Sequence, residues 1–345
     1  MAKRPNRTTI NHVAQAAGVS ISTVSNVING RVDAMSEETL VRIQAAMREL
    51  DYRPSSVARG LAMQRTATLG LVLTEIETPL FLQAVTPVER AARQAGYSLL
   101  LVNARSEADE HEAVRLLQEK QVDGLMVIST SDPRQDDHLR KIQSEGIPVA
   151  LINRSNLSAE FDQVNWDNSK GVASIVSHLA GLGHRRIALL AGPVNRRSTQ
   201  ERLQGYRAGL EASSLPLDES LIYPGDYTAA PEDWKRSTHE LLTLTDAPTA
   251  IIASDDIVAA VVMRAIQDSG RNVPNEIAVV GIDDQPFSQY LGLTTMQLPV
   301  AEAGRQAIRL LLERIHHPET QAQHILLPCP LVVRDTCGAK RQAAL

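Results

Sequence analysis

Asn26 and Asn29 carry side-chain amides, and Ser20, Ser22, Thr23 and Ser25 carry hydroxyls, all within one short stretch near the start of the chain. These groups suit hydrogen bonding to nucleic acid. Asn can pair bidentately with adenine, Ser can donate or accept, and an apolar Ile21 among them can touch a thymine methyl. Two short helices would position them. Ile10, Val13, Ala14 and Ala17 form one apolar face of the first. Gly18 permits a tight turn, and Ser20 can cap a second helix whose inner face is Val24, Val27 and Ile28. Ile21, Ser22, Ser25, Asn26 and Asn29 then point outward. This is a helix-turn-helix pattern, which seats its second helix in the DNA major groove.

Charge agrees with that reading. Residues 1–32 hold Lys3, Arg4, Arg7 and Arg31 and no Asp or Glu. Nine Lys/Arg against five Asp/Glu put residues 1–65 at +4, so a chain total of −5 leaves −9 for the rest. A basic N-terminal module on an acidic body confines the nucleic-acid surface to one end.

At 345 residues the chain is too long for one small core and implies two or three domains. No apolar run approaches the length of a membrane span, and the basic N-terminus lacks the apolar stretch of a secretory signal, which points to the cytoplasm. Cys329 and Cys337 lie far from metal-site spacing and read as free thiols, so no metal and no cofactor are expected. Enzyme signatures are missing too: no Gly-x-Ser-x-Gly, phosphate-binding loop, Gly-x-Gly-x-x-Gly or His-Glu-x-x-His occurs. Asp283 and Asp284 are adjacent, and chain neighbours point apart rather than forming an acid/base pair. No catalytic residue is assigned.

A third helix is expected over 37–50, capped by Ser36, with Leu40, Ile43, Met47 and Leu50 inward. Pro54 ends it. Residues 55–62 can make two helical turns, weakened by Gly60 by about 1 kcal/mol relative to Ala, and would fold when held against something. Beyond Thr68 the pattern becomes strand, helix, strand. Apolar runs at 69–73, 98–102, 124–128, 149–152, 187–190, 250–253 and 277–281 read as strands. Amphipathic stretches near 80–95, 107–119, 135–144, 169–181, 198–212, 231–243, 256–269 and 301–315 read as helices. Continuous apolar strands between helices imply parallel sheets covered on both faces, and eight helices imply two α/β lobes. Residues 293–299 would return the chain across the lobe boundary. Ligands in such folds bind at strand carboxyl ends, in the cleft.

Thr9-Ile-Asn-His-Val-Ala, Ala17-Gly-Val-Ser and Thr23-Val-Ser-Asn-Val-Ile-Asn29 closely resemble the DNA-binding module of the lactose/galactose repressor family. The likeness continues through Tyr52-Arg-Pro-Ser-Ser-Val-Ala-Arg-Gly-Leu61, Val122-Asp-Gly-Leu125, Gly183-His184, Leu190-Ala-Gly-Pro193, Arg202-Leu-Gln-Gly-Tyr206, Ser254-Asp255, Val280-Gly-Ile-Asp-Asp284 and Leu331-Val-Val-Arg334. The resemblance implies an α/β chain in three parts. Residues 1–53 form an all-α helix-turn-helix headpiece, 54–65 a hinge helix and linker, and 66–345 a two-lobe, periplasmic-binding-protein-like effector and dimerisation domain. The implied function is a ligand-responsive transcriptional regulator, most naturally a repressor, binding a palindromic operator as a homodimer. Two rivals share parts of this design. A transport receptor has the lobes but needs a secretory signal and no headpiece, and an architectural DNA-binding protein would have an idle cleft.

By similarity, Ile21, Ser22 and Asn26 reach base edges, with no Arg there for a bidentate guanine contact. Thr9, Ser20, Thr23 and Asn29 are candidates for phosphate contacts, while capping is an equal reading of Thr9 and Ser20. Leu61 matches the residue that wedges into a central base step from the minor groove, with Ala58 against the groove floor. Paired hinges demand a two-fold axis, with dimer faces near helices 80–95 and 255–269. No leucine heptad follows Cys337, which favours a dimer over a tetramer. His12 stands where the family has an acid, so a capping box with Thr9 is not expected to close in the usual way. The cleft, again by similarity, is lined by Phe81, Asn153, Asp167, Arg196, Ser198, Arg202, Tyr227, Asp255 and Asp283. Carboxylates and an arginine fork suit ring hydroxyls or exocyclic amines, and Phe81 and Tyr227 offer stacking faces. A sugar or sugar derivative is the first expectation and a purine or nucleoside the second. Asp255 and Asp283 have a plainer reading as helix caps.

Overall fold

The computed structural model describes residues 8–28, 32, 35–52, 65–74, 79–128, 136–154, 160–226 and 230–339. The hinge and the expected sites Asn29, Ala58, Leu61 and Tyr227 lie outside these residues. Two compact units divide the chain, an N-terminal unit of residues 1–68 with 121–123 and a body of the remainder.

The N-terminal unit is built on α1 (Ile10–Ala17), α2 (Ile21–Ile28) and α3 (Glu37–Glu49). Val13, Ala14, Ala17, Val24, Ile43 and Ala46 form its small core, and Val27, Ile28 and Met47 pack onto it. Gly18 supplies the turn after α1 with φ 64°, a left-handed conformation that a side chain would strain. Ser36 caps α3 by accepting the Thr39 N–H at 3.3 Å. At α1 the structure corrects an expectation: the N–H of Thr9 donates to Nδ1 of His12 at 3.3 Å. An imidazole nitrogen with a free lone pair therefore makes the reciprocal arm of the box that an acid would otherwise make.

The body holds two six-stranded sheets. Strands β1 (Thr68–Thr74), β2 (Ser98–Ala104), β3 (Gly124–Ile128), β4 (Val149–Ile152), β5 (Asp162–Trp166), β6 (Ile187–Leu190), β7 (Ile222–Tyr223), β8 (Ala250–Ala253), β9 (Ala278–Asp283), β10 (Thr294–Gln297), β11 (His324–Leu327) and β12 (Leu331–Val332) pair as β11-β5-β4-β3-β1-β2 and β12-β10-β9-β8-β6-β7. β1 pairs in parallel with β3, Leu69 opposite Gly124, and β6 with β8, Ile187 opposite Ala250. β12 runs antiparallel to β10. Every residue of β3, β4, β6, β8 and β9 is buried, as strands covered on both faces must be. Helices α4 (Pro79–Gln94), α5 (Glu107–Glu119), α6 (Asp137–Ser144), α7 (Asn168–Gly181), α8 (Arg197–Ala212), α9 (Pro231–Leu242), α10 (Asp256–Asp268) and α11 (Val300–His316) cover the sheets.

Both sheets share one strand order, and in each the order reverses beside the first strand of the lobe, β1 and β6. Such a switch point opens a crevice at the strand carboxyl ends. The chain changes lobe three times. β5 of the first sheet leads to α7, which packs on α8 and β10, and β10 of the second leads to α11, which packs on α4, β3 and β4. The third change separates β11 from β12. The 293–299 return thus falls where the sequence places it. β5 escaped the apolar pattern because Asp162 and Gln163 are polar yet buried; Arg314 grips Asp162 with two bonds of 3.0 Å. Cys329 and Cys337 are buried free thiols.

Candidate DNA-binding and effector sites

Ser20 organises the start of α2. Its Oγ accepts the Thr23 N–H at 3.1 Å and lies 2.7 Å from the hydroxyls of both Ser22 and Thr23. It is a cap, and it presets two neighbouring hydroxyls. Val24 is fully buried beneath, so the helix can roll only slightly. Ile21, half exposed, and the exposed Ser22 and Asn26 share the outer face, while Thr23 and Ser25 are half-buried at its flanks. An exposed, apolar Ile21 beside an amide and a hydroxyl is a surface whose chemistry suits a thymine methyl and an adenine edge. Thr9 is exposed at the start of α1.

In the body, Arg202, Asp255 and Asp283 come together. Arg202 projects from α8 and donates from Nη1 to the carbonyl of Ser254 at 2.8 Å and from Nε to Oδ1 of Asn168 at 3.4 Å. Asp255 precedes α10 and caps it, its Oδ1 accepting the Val258 N–H at 2.8 Å. Capping and site membership are therefore compatible roles of one carboxylate. Burial pushes the Asp255 carboxyl above its ordinary range, against the pull of the Val258 N–H and the Arg202 charge. Asp283 closes β9 at φ 119°, and burial, then the charge of Asp255, hold its carboxyl well above that range. Two carboxyls that resist ionising beside one fixed guanidinium offer mixed donors and acceptors, the chemistry of a polar, uncharged ligand.

The remaining expected residues are placed less uniformly. Asp167 caps α7, accepting the Lys170 N–H at 2.9 Å and pairing with the Lys170 ammonium at 3.1 Å. Arg196 occupies the residue before α8 and Ser198 its first turn, both half-buried. Asn153 follows β4 at φ 55°. Phe81 departs from expectation. It is 3% exposed within the apolar core, so its ring presents no open stacking face in this conformation. Sequence reasoning passed over Asn168, which bridges Arg202 and Glu201, and Asp256 beside the capping Asp255. Asn168 carried no local signal: it opens α7 two residues past β5, a strand whose polar residues hide it from the apolar pattern. Among the described residues no His, Cys, Asp or Glu cluster is arranged for a metal, and no helix is long and apolar enough to cross a membrane.

A helix-turn-helix unit joined to a doubly wound two-lobe body with polar side chains at its strand ends defines a ligand-responsive DNA-binding regulator. Comparison with known proteins makes this specific. Residues 9–55 match the bacterial regulatory proteins of the lacI family, and residues 176–337 match a periplasmic binding protein-like domain. The HTH-type transcriptional repressor PurR of Mannheimia succiniciproducens is 32% identical over 331 residues, 95% of this chain and 98% of that one. PurR of Proteus mirabilis is 33% identical over 332 residues, 94% and 96% respectively. The lac repressor dimer bound to operator and the anti-inducer ONPF shares the fold with a TM-score of 0.84 at 28% identity, covering 96% of this chain and 99% of that one. The transcriptional regulator CelR in complex with cellobiose gives 0.69 at 32% identity, covering 96% and 100%. The chain belongs to the lacI family of bacterial transcriptional regulators.

Proposed function

We propose that the chain is a cytoplasmic repressor that binds a near-palindromic operator as a homodimer and changes its DNA affinity when a sugar or sugar derivative enters the interlobe cleft. The observation that carries this reading is the Arg202–Asp255–Asp283 cluster. Its fork and two carboxyls, both raised above their ordinary range by burial, can divide donors and acceptors among neighbouring ring hydroxyls. The cellobiose complex of CelR, 32% identical, supports the same ligand class. Dimerisation is supported by apolar side chains left exposed on both lobes: Leu82, Leu100 and Leu116 on and beside the edge strand β2, and Ile257, Tyr290 and Leu291 on α10 and the segment before β10. Base contacts fall to Ile21, Ser22 and Asn26 on the outer face of α2.

A purine base or nucleoside is the second reading, favoured by the PurR relatives at 32–34% identity. Thermal unfolding against sugars, sugar phosphates, nucleosides and nucleobases separates the two. A ligand at about 100 times its dissociation constant stabilises the folded state by about 2.7 kcal/mol. A shift with sugars alone is expected, a shift with purines alone transfers the proposal to the second reading, and no shift in the panel counts against both.

A further inference from the structure

Asp256 is fully buried, one residue beyond Asp255, and belongs to no ligand-facing set. Its two carboxylate oxygens collect three donors from distant parts of the chain. Oδ2 accepts the Gln285 N–H at 2.7 Å and the Ser288 hydroxyl at 2.5 Å, and Oδ1 accepts the Thr295 hydroxyl at 2.6 Å. Thr295 in turn accepts the Asp284 N–H at 3.3 Å. The approach requires a glycine on β9, because a Cβ at Gly281 would run into the Asp256 carboxylate. One side chain at the start of α10 thus holds the end of β9, the loop behind it and the first residues of β10. Asp283 sits within that span at φ 119°, followed by Asp284 at φ 55°. Two successive residues of positive φ keep such a conformation only when their surroundings fix them.

We propose that Asp256 is the positioning residue of the effector site: its carboxylate ties the segment bearing Asp283 to the helix bearing Asp255, and so sets the spacing of the two acids that meet the ligand. This rests on the reading of Arg202, Asp255 and Asp283 as the effector cluster. Asp284, the next acid along, does not compete for the tie, being held by Arg334 at 2.7 Å and Gln297 at 3.0 Å. The charged groups around Asp256 are accordingly Asp255 on α10, Asp283 and Asp284 on the β9 side, Arg202 on α8 and Arg334 beyond β12. Burial lifts Asp256 to about 6, against its hydrogen bonds from Ser288, Thr295 and Gln285 and with the push of the Asp284 charge. Protonation turns one oxygen into a donor and removes an acceptor from the tie, so the tie weakens on mild acidification.

The test uses the full chain with Asp256→Asn, and with Ser288→Ala as a variant that keeps the carboxylate and loses one donor. Hydrogen exchange of residues 281–297 without ligand is read first, corrected for intrinsic rates. Asp256→Asn is expected to speed exchange about tenfold, and the wild type to follow on going from about pH 7.5 to about pH 5 while the variant does not change further. Ser288→Ala should give a smaller change of the same sign, and carries the test if Asp256→Asn fails to fold. Unchanged exchange in the variants overturns the proposal. Cellobiose and guanine are then titrated calorimetrically. Whichever binds the wild type should bind Asp256→Asn at least about tenfold more weakly, and equal affinity overturns the positioning role. Binding of neither probe to the wild type, with exchange altered as expected, refutes the effector reading and leaves Asp256 a structural tie, which also overturns the proposal.

Discussion

Replacing Arg154 by Met should break the first lobe's one fully buried arginine network among the described residues. Arg154 follows Asn153 directly after β4 and is 1% exposed. Its Nη1 donates to both oxygens of Glu110 at 2.7 and 2.8 Å, and its Nε donates to Asp136 at 3.0 Å. Glu110 and Asp136 are themselves buried, and His138 adds a 2.8 Å bond to Glu110. Methionine fills the aliphatic volume but takes the guanidinium away from two buried carboxylates. Breaking a buried pair in this way costs about 3–5 kcal/mol, far more than the pair contributes against an apolar alternative. The pH dependence has a definite sign. In the wild type, burial raises the Glu110 carboxyl, but the His138 hydrogen bond and the Arg154 charge outweigh it and hold it below 4.5. Its contribution is therefore present above its ordinary pKa and lost as pH falls through the lowered folded value. In Arg154→Met the Glu110 carboxyl loses the guanidinium that helped outweigh its burial, so its folded pKa rises and proton uptake relieves it. The stability gap should be widest near neutrality and narrow toward about pH 4. Urea unfolding followed by tryptophan fluorescence measures it, with Trp234→Phe leaving Trp166 of β5 as the reporter of the first lobe. A loss below about 1 kcal/mol, or a gap that widens on acidification, would refute the reasoning.

Three further outcomes are expected. Asn26→Ala should weaken specific operator binding by about 1–3 kcal/mol and relax preference at one adenine, with non-specific binding and its salt slope unchanged in a fluorescence titration. Ser36→Ala should cost the N-terminal unit about 1 kcal/mol by leaving the Thr39 N–H without its cap, seen as a lower melting temperature of that unit. Gly205→Ala should destabilise the second lobe by about 1–3 kcal/mol in calorimetry, because a Cβ there would strike the backbone of Ser169 where α8 crosses α7.

Legibility in the sequence followed the source of burial. β3, β4, β6 and β8 were readable to the residue because each is an unbroken apolar run bounded by polar or turn residues. β5 and β11 were not, since β5 is buried through its pairing with Arg314 and β11 alternates along an exposed edge. The recognition helix was legible because Val24, Val27 and Ile28 fall on one face and Ser22 and Asn26 on the other, with Ile21 the one apolar residue on the outer side. Within the site, Asp255 and Asp283 were reached through the family resemblance, two residues past apolar runs that read as strands. Asp256 was not: its partners Ser288 and Thr295 lie 32 and 39 residues away, a distance no local pattern spans. Phe81 misled because its type suits stacking, while its place among the first lobe's core residues is decided by packing.

The claim that cleft occupancy governs DNA binding is tested most directly by one linked titration. An operator selected from random duplexes by the full chain is bound in the absence and presence of the compound that raises the melting temperature. Coupling of the usual size changes operator affinity by about 5–150-fold, and the operator must change the affinity for the compound by the same factor. That reciprocal shift, abolished in Arg202→Met, is the predicted result. A compound that binds tightly in the cleft and leaves operator affinity unchanged would contradict the account.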